Sequence, residues 1–257
     1  MSWVSVRYHP ASFFSLRPAQ ATASGGKSLL CPTAYAIKMA LLNASIQMAG
    51  VSEGERRFPL IRDLRIALRL PPTITALKSF AKIRRPARIS AATRDDDVAR
   101  LSNAGQYPFQ STIAYREFIQ FGDPARGLDS SVVEIACGGP DAPANPPAWL
   151  SETLLAINYL GKRGGFWQPL SAPVSMLSLE PDYIEITRDS DMFSMEGTLQ
   201  MLDDCGSRLT FQQANIYSTS RVTLGEGRVL RHVVLPYRLE RSSRGYSRYT
   251  QVGAGRP

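Results

Sequence analysis

The stretch Leu64-Arg65-Ile66-Ala67-Leu68-Arg69-Leu70-Pro71-Pro72 alternates strictly, with Leu64, Ile66, Leu68 and Leu70 on one side and Arg65 and Arg69 on the other. A period of two belongs to a strand with one buried and one polar face, because successive side chains leave a pleated strand in opposite directions. The two prolines end it, since proline has no N–H for a ladder. Upstream, Thr33 is a predicted N-cap for a helix that starts at Ala34 and places Ile37, Leu41, Ala44 and Met48 on one face. Gly50 falls where a left-handed cap residue is expected. Ser2 to Tyr8 reads as a short strand before that helix.

Downstream of Pro72 some forty residues, 71 to 110, lack a clean period and carry Lys78, Lys82, Arg84, Arg85, Arg88 and Arg94 before the acidic run Asp95-Asp96-Asp97. An excursion of this length and charge reads as a functional extension or a partly mobile loop. The acidic run reads as a solvated polar loop, with no ligand pattern around it. Ser111 to Phe121 and Ser131 to Cys137 are predicted strands, joined through Gly122-Asp123-Pro124 as an antiparallel hairpin. After a proline-rich connector at 138–147, Leu150, Leu154 and Ile157 mark a second helix ending at Gly161. From Phe166 to Gln251 the chain reads as short strands and turns, the last clear one at Val229 to Leu239. Strand, helix, strand, strand, helix, strand is the order of a ferredoxin-like (RRM-like) α+β fold, an antiparallel sheet with helices on one face and the other face open to bind.

Charge is uneven along the 257 residues: 17 basic and 7 acidic side chains in 1–122, 4 and 13 in 123–204, 9 and 2 in 205–257, for a net +8. Basic flanks around an acidic middle suggest one surface facing nucleic acid or another acidic partner. Within the acidic middle, half of the positive charge sits in Asn158-Tyr159-Leu160-Gly161-Lys162-Arg163-Gly164-Gly165-Phe166-Trp167. Glycines allow close backbone approach to a phosphate, the two cations supply charge-assisted hydrogen bonds, and Phe166 and Trp167 offer faces on which an unpaired base could stack. A helix end followed by an ordinary turn has the same pattern. Arg65, Arg69 and Arg116 could likewise pave an open sheet face or simply face solvent.

Catalytic and metal chemistry have little to stand on. Cys31, Cys137 and Cys205 are odd in number and never form a Cys-x-x-Cys pair, which argues against a disulfide framework or structural zinc and fits a reducing cytoplasm. The two histidines, His9 and His232, lie at opposite ends of the chain, and no Gly-x-Ser-x-Gly or P-loop spacing occurs; Ser24-Gly25-Gly26-Lys27 falls short of the latter. Neither a metal nor an organic cofactor is expected. No acidic residue precedes Glu53, which is also true of transit peptides, but the strand and helix expected there read as fold. No apolar run approaches the roughly 18 residues of a membrane span.

Four segments together resemble the CRISPR-associated RAMP proteins, and within them the Cas-five subunit of type I Cascade-like surveillance complexes. Pro32 to Leu42 resembles that family's first helix, Leu64 to Pro72 its following strand with a terminal Pro-Pro, Tyr115-Arg116-Glu117-Phe118 its Arg-Glu strand, and Tyr159 to Phe166 its helix end with a Leu-Gly and paired cations. The likeness covers about residues 1 to 170, and later only Gly245-Tyr246 resembles the family. It implies an RRM-like domain over 1–165, a thumb-like insertion at about 71–110 and a β-rich part, 166–257, packed on it. It also implies a structural, non-catalytic subunit in the cytoplasm that holds the 5′ handle of a guide RNA and touches the complex's backbone and large subunits, with target DNA nearby. Metal-independent cleavage of precursor RNA is the alternative. The residues expected to meet RNA are then Arg17, Lys27, Lys38, Arg65, Arg69, Arg84, Arg85, Arg116, Lys162, Arg163, Phe166 and Arg244.

Overall fold

The computed structural model describes residues 2–19, 21, 26–139, 146–161, 164–192, 195–215 and 217–253. In chain order its elements are β1 (Trp3–Pro10), α1 (Ala34–Ala49), α2 (Val51–Asp63), β2 (Arg65–Arg69), β3 (Thr73–Pro86), α3 (Arg94–Asn103), β4 (Phe109–Phe121), β5 (Val133–Gly138), α4 (Ala148–Leu155), β6 (Trp167–Pro169), β7 (Val174–Met176), β8 (Ile184–Glu185), β9 (Thr198–Cys205), β10 (Arg228–Leu235), β11 (Tyr237–Ser242) and β12 (Tyr246–Gln251), with one further short helix, Phe211–Ala214.

The main sheet runs β6-β1-β5-β2-β8, with β7 also on β1, and every pairing in it is antiparallel. Taking β1, α1, β2, β5, α4 and β6 as the basic unit, its strands lie fourth, first, third, second, the ferredoxin-like order expected from the sequence. Buried Val4, Val6 and Tyr8 of β1, Ile66 and Leu68 of β2 and Ile135 of β5 meet Ile37 and Leu41 of α1 and Leu150 and Leu154 of α4 in one core. The Tyr8 hydroxyl donates to the Leu154 carbonyl at 2.6 Å and so ties β1 to α4. Thr33 caps α1 as expected, accepting from Ala36 N at 3.2 Å, and Gly50 closes it at φ 87°.

The expected hairpin between 111–121 and 131–137 does not form. β4 instead pairs along its whole length with β3, from Ile74 opposite Phe121 to Pro86 opposite Phe109. β5 is a central strand that needs a neighbour on each side and finds β1 and β2. Between the two strands, Gly122 (φ 68°) turns the chain where a Cβ would come within 1.9 Å of the Ser130 carbonyl, and two short 3-10 turns carry it to the other sheet. The basic excursion is therefore a long β3–β4 hairpin, joined through β12 and β11 into a second, four-stranded sheet, with α3 at its tip. Asp95, Asp96 and Asp97 are not in a polar loop: they form the first turn of α3, where the helix dipole favours carboxylates. β9 and β10 make a separate two-stranded sheet that packs on α1.

Gly161 is not the end of a helix. α4 stops at Leu155, and Gly161 (φ 73°) sits in a hairpin-like loop closed by the Tyr159–Phe166 bridge, with Leu160 N donating to Gly165 O at 3.1 Å and Trp167 N to Asn158 O at 3.0 Å. The outer face of the main sheet is also not open. The segment that holds β7 and β8 crosses it, and Met176, Leu179 and Tyr183 pack on Trp3, Ala67 and Ala136.

Candidate nucleic-acid interface

β12 pairs with β3 only from Thr73 to Leu77, so beyond Lys78 the hairpin projects as a two-stranded ribbon. Cross-strand partners share a face, which sets Phe80 beside Tyr115, Lys82 beside Ile113, Arg84 beside Ser111 and Pro86 beside Phe109. Nearer the root, the same face carries buried Ile74, Ala76, Ile119 and Phe121 and belongs to the core. Past Glu117 the core falls away and leaves Phe80 63% exposed, Ile113 73% and Phe109 50%, with Lys82 and Arg84 exposed between them. The Phe80 and Tyr115 rings lie 5.3 Å apart. Cations set between exposed rings on a projecting ribbon suit a single-stranded polyanion, whose phosphates take the charges and whose bases take the rings.

The ribbon root is braced by the segment that follows β1. Phe14 bridges Ile119, Glu117 N donates to Gly26 O at 2.8 Å, and Ser28 N donates to a Glu117 carboxylate oxygen at 3.0 Å. Gly26 is required there, because a Cβ would stand 1.7 Å from the Tyr115 carbonyl oxygen. Burial and the hydrogen bond to Glu117 push the Tyr115 phenol well above its ordinary value. Leu16 and Ser28 close the segment on itself, with Leu16 N donating to Ser28 Oγ at 3.0 Å. Exposed Lys27 thus lies beside the β4 edge that carries Arg116, and Arg17 follows Leu16 on the same segment. The 158–167 loop is fastened to the same segment: Ser12 Oγ donates to Gly164 O and accepts from Phe166 N, each at 2.9 Å. Beneath it, Trp167 is ringed by Tyr8, Phe14 and Phe121 with centroids 5.7 to 6.3 Å apart.

These contacts sort the expected RNA-facing residues. Lys27 follows Gly26 on the segment that braces β4 beside Arg116, Arg17 follows Leu16 on the same segment, and Phe166 stands in the loop tied to its Ser12. Arg84 and Arg85 lie on opposite faces of the ribbon, and exposed Arg244 stands in the β11–β12 turn, whose Gly245 carbonyl accepts from Lys78 N at 2.8 Å. Lys162 and Arg163 lie outside the described residues. Phe166 is 56% exposed, whereas Trp167 is 2% exposed and offers no face for stacking. Three others are elsewhere. Lys38 is 2% exposed, and its Nζ stands 2.6 Å from Asp204 in the interior, so it is a structural partner and not an RNA ligand. Arg65 lies over the Trp3 ring and pairs with Glu185; Arg69 lies over Tyr183 and is held by Glu134, Glu180 and Asp182. Carboxylates already occupy the roofed sheet face where an RRM-like reading sets RNA. The sequence reading names Lys82 only as one cation of the basic excursion and does not reach Phe80, Phe109 and Ile113, although Lys78-x-Phe80-x-Lys82-x-Arg84 is itself a period-two signal.

The histidines sit on different sheets. His9 Nδ1 meets Ser131 Oγ at 3.1 Å, and His232 on β10 faces Asp189 at 3.4 Å. The three cysteines are buried, and burial pushes each thiol up to about 12. No cluster of metal-binding side chains occurs among the described residues, and none of their helices is long and apolar enough to cross a membrane.

The fold and this surface define an α+β protein of antiparallel sheets, with a cationic ribbon inserted between the second and third strands of a ferredoxin-like core. In sequence it is similar to the CRISPR-associated protein Cas5 of Archaeoglobus fulgidus, with 32% identity over 124 residues, which are 48% of this chain and 49% of that protein. The match thus spans about half the length of the curated relative. No protein-family profile matches the chain. Among solved structures, a CRISPR protein from Archaeoglobus fulgidus aligns with a TM-score of 0.48 at 13% identity, covering 98% of this chain and 93% of that one. A chain of a CRISPR RNA-guided surveillance complex aligns with a TM-score of 0.44 at 16% identity, covering 98% and 91%.

Proposed function

We propose that this chain is a guide-RNA-binding structural subunit of a type I CRISPR surveillance complex, which holds the 5′ handle of the guide and contacts the complex's backbone and large subunits. The observation that carries the reading is the ribbon, where Lys82 and Arg84 share a face with exposed Phe80, Ile113 and Phe109, above a root braced by the segment that carries Lys27. The sequence likeness to a protein named Cas5 supports the same reading. Lys162 and Arg163 belong to the proposed surface by their place in the sequence, between Gly161 and Gly164. Their joint reversal, Lys162→Glu with Arg163→Glu, is expected to strip most of the guide RNA from the purified complex; full retention would exclude this loop from the RNA contact.

Metal-independent endoribonuclease activity has one observation in its favour, the His232–Asp189 pair, since a carboxylate that orients an imidazole suits a general base. Its test is cleavage of repeat RNA by the purified chain in EDTA. Activity lost in His232→Ala would support that role, and activity intact in both His232→Ala and His9→Ala would remove the histidines from it.

A further inference from the structure

Between the end of β1 and the root of β4 lies a cleft of about 570 Å3, within the range of sites that take small molecules. Phe13, Leu128 and Phe121 form apolar walls, and His9, Gln120 and Ser131 contribute polar groups. Phe121 belongs to the core, but Phe13 is 54% and Leu128 63% exposed, so two large apolar side chains border the cleft in contact with water. Among the described residues, no lysine, arginine, aspartate or glutamate lines it. The cationic positions stand outside, on the ribbon and along the segment that continues from the cleft wall to Arg17 and Lys27. Ser12, in the wall, also anchors the loop that presents Phe166.

A neutral, partly aromatic cleft beside a cationic surface suits a group that is flat and apolar on two faces, polar at its edge, and attached to a chain of phosphates. We propose that it receives one unpaired nucleobase of the bound RNA, stacked on Phe13 and bordered by Leu128, with its polar edge toward His9, Gln120 and Ser131. The inference rests on the RNA-holding reading and deepens it. His9 has Nδ1 engaged with Ser131 at 3.1 Å, which leaves Nε2 as the ring's second polar atom. Ser131 Oγ already donates to the Leu128 carbonyl at 2.8 Å, so the groups open to an occupant are His9 Nε2 and the Gln120 amide. An aliphatic side chain from a protein partner would cover the walls but leave these two unmet, a cost that a base edge with both donors and acceptors avoids.

The test uses the full chain and single-stranded oligoadenylate RNAs of roughly eight nucleotides, within the span one binding surface covers. One adenine in each is replaced by 2-aminopurine, whose emission changes on unstacking and reburial, and the replaced position is walked along the strand. The expected result is a response at one position with the wild-type chain and with Phe13→Tyr. That response disappears in Leu128→Trp, which plugs the cleft, and Phe13→Ala weakens binding about tenfold, as loss of one stacked base predicts. Unchanged melting temperatures show that the variants are folded, and Phe13→Tyr retains the ring if Phe13→Ala unfolds. RNA bound with no responsive position, or with a response that persists in Leu128→Trp, would overturn the cleft assignment alone. A wild-type chain that binds none of these RNAs, in isolation or in its complex, would overturn the RNA-holding reading and this inference with it. Shielding of Phe13 from hydroxyl radicals in an RNA-free complex would give the cleft to a protein partner instead.

Discussion

Lys38 and Asp204 join helix α1 to the β9–β10 sheet through an ion pair with almost no solvent contact, 2% and 4% exposed at the side chains. Burial pushes the Asp204 carboxyl up, and the adjacent Lys38 ammonium pulls against that shift. Removing Lys38 leaves the buried Asp204 carboxylate with the more distant Arg231, 3.9 Å away, and the Cys205 amide to offset it. Lys38→Ala is therefore expected to cost about 3 kcal/mol in urea unfolding, whereas joint replacement by Lys38→Met and Asp204→Leu is expected to recover most of it. In the sequence Lys38 was one cation in an acid-free stretch. Its partner lies 166 positions away, a pairing that local pattern does not encode. Gly26 has a similar history: no spacing rule marks it, but its carbonyl and missing Cβ let the chain lie against β4. Gly26→Ala is expected to destabilise by on the order of 3 kcal/mol, read from the urea midpoint, because the obstacle is backbone that no rotamer can relieve.

Among the elements, α1 is buried around most of its circumference and exposes Met48, and β2 also buries Ala67 on its second face. Both were nevertheless legible, because large aliphatics recur at a regular spacing, Ile37 and Leu41 in the one and Ile66 and Leu68 in the other. Helix α2 was not. It buries only Gly54, Phe58 and Ile61, carries Pro59 in its interior, and has no broad apolar stripe to betray it. Its first turn is clamped by Glu53, which accepts from Arg56 at 2.6 and 2.8 Å and from Arg57 at 2.5 Å and is held down at about 2. A carboxyl depressed on folding contributes stability above its ordinary value of 4.5, and that contribution is lost as pH falls toward about 2. Glu53→Gln is therefore expected to flatten stability against pH in that acid window and leave its shape at neutral pH unchanged. The β3–β4 ribbon was hidden for a different reason: beyond its root neither face is core, so charge and apolar groups alternate without a buried side to order them. Those exposed positions are cheap to alter. Phe80→Ala with Lys82→Glu and Arg84→Glu is expected to leave the melting temperature nearly unchanged, weaken RNA binding at least tenfold, and lower the salt dependence of log K by roughly 0.7 for each cation removed.

For the whole molecule, the βαββαβ order could be read along the chain, but the neighbours of β5 could not, since the strand at 109–121 joins the other sheet. The pairing of β3 with β12 could not, because it joins residues 73–77 to 246–250 and depends on contacts that close only once the core is formed. The roof over the outer sheet face was equally out of reach: Glu180, Asp182 and Glu185 looked like part of an acidic middle segment, and in space they occupy Arg65 and Arg69. That arrangement moves the proposed RNA surface away from the sheet to the ribbon and its root. The most direct measurement is the nucleic acid that accompanies this chain when it is purified with its companion proteins, before and after the three ribbon substitutions at Phe80, Lys82 and Arg84. The account predicts RNA of uniform length with the wild-type chain and its loss with the substituted one; a complex that assembles without RNA, or retains it undiminished after the substitutions, would contradict it.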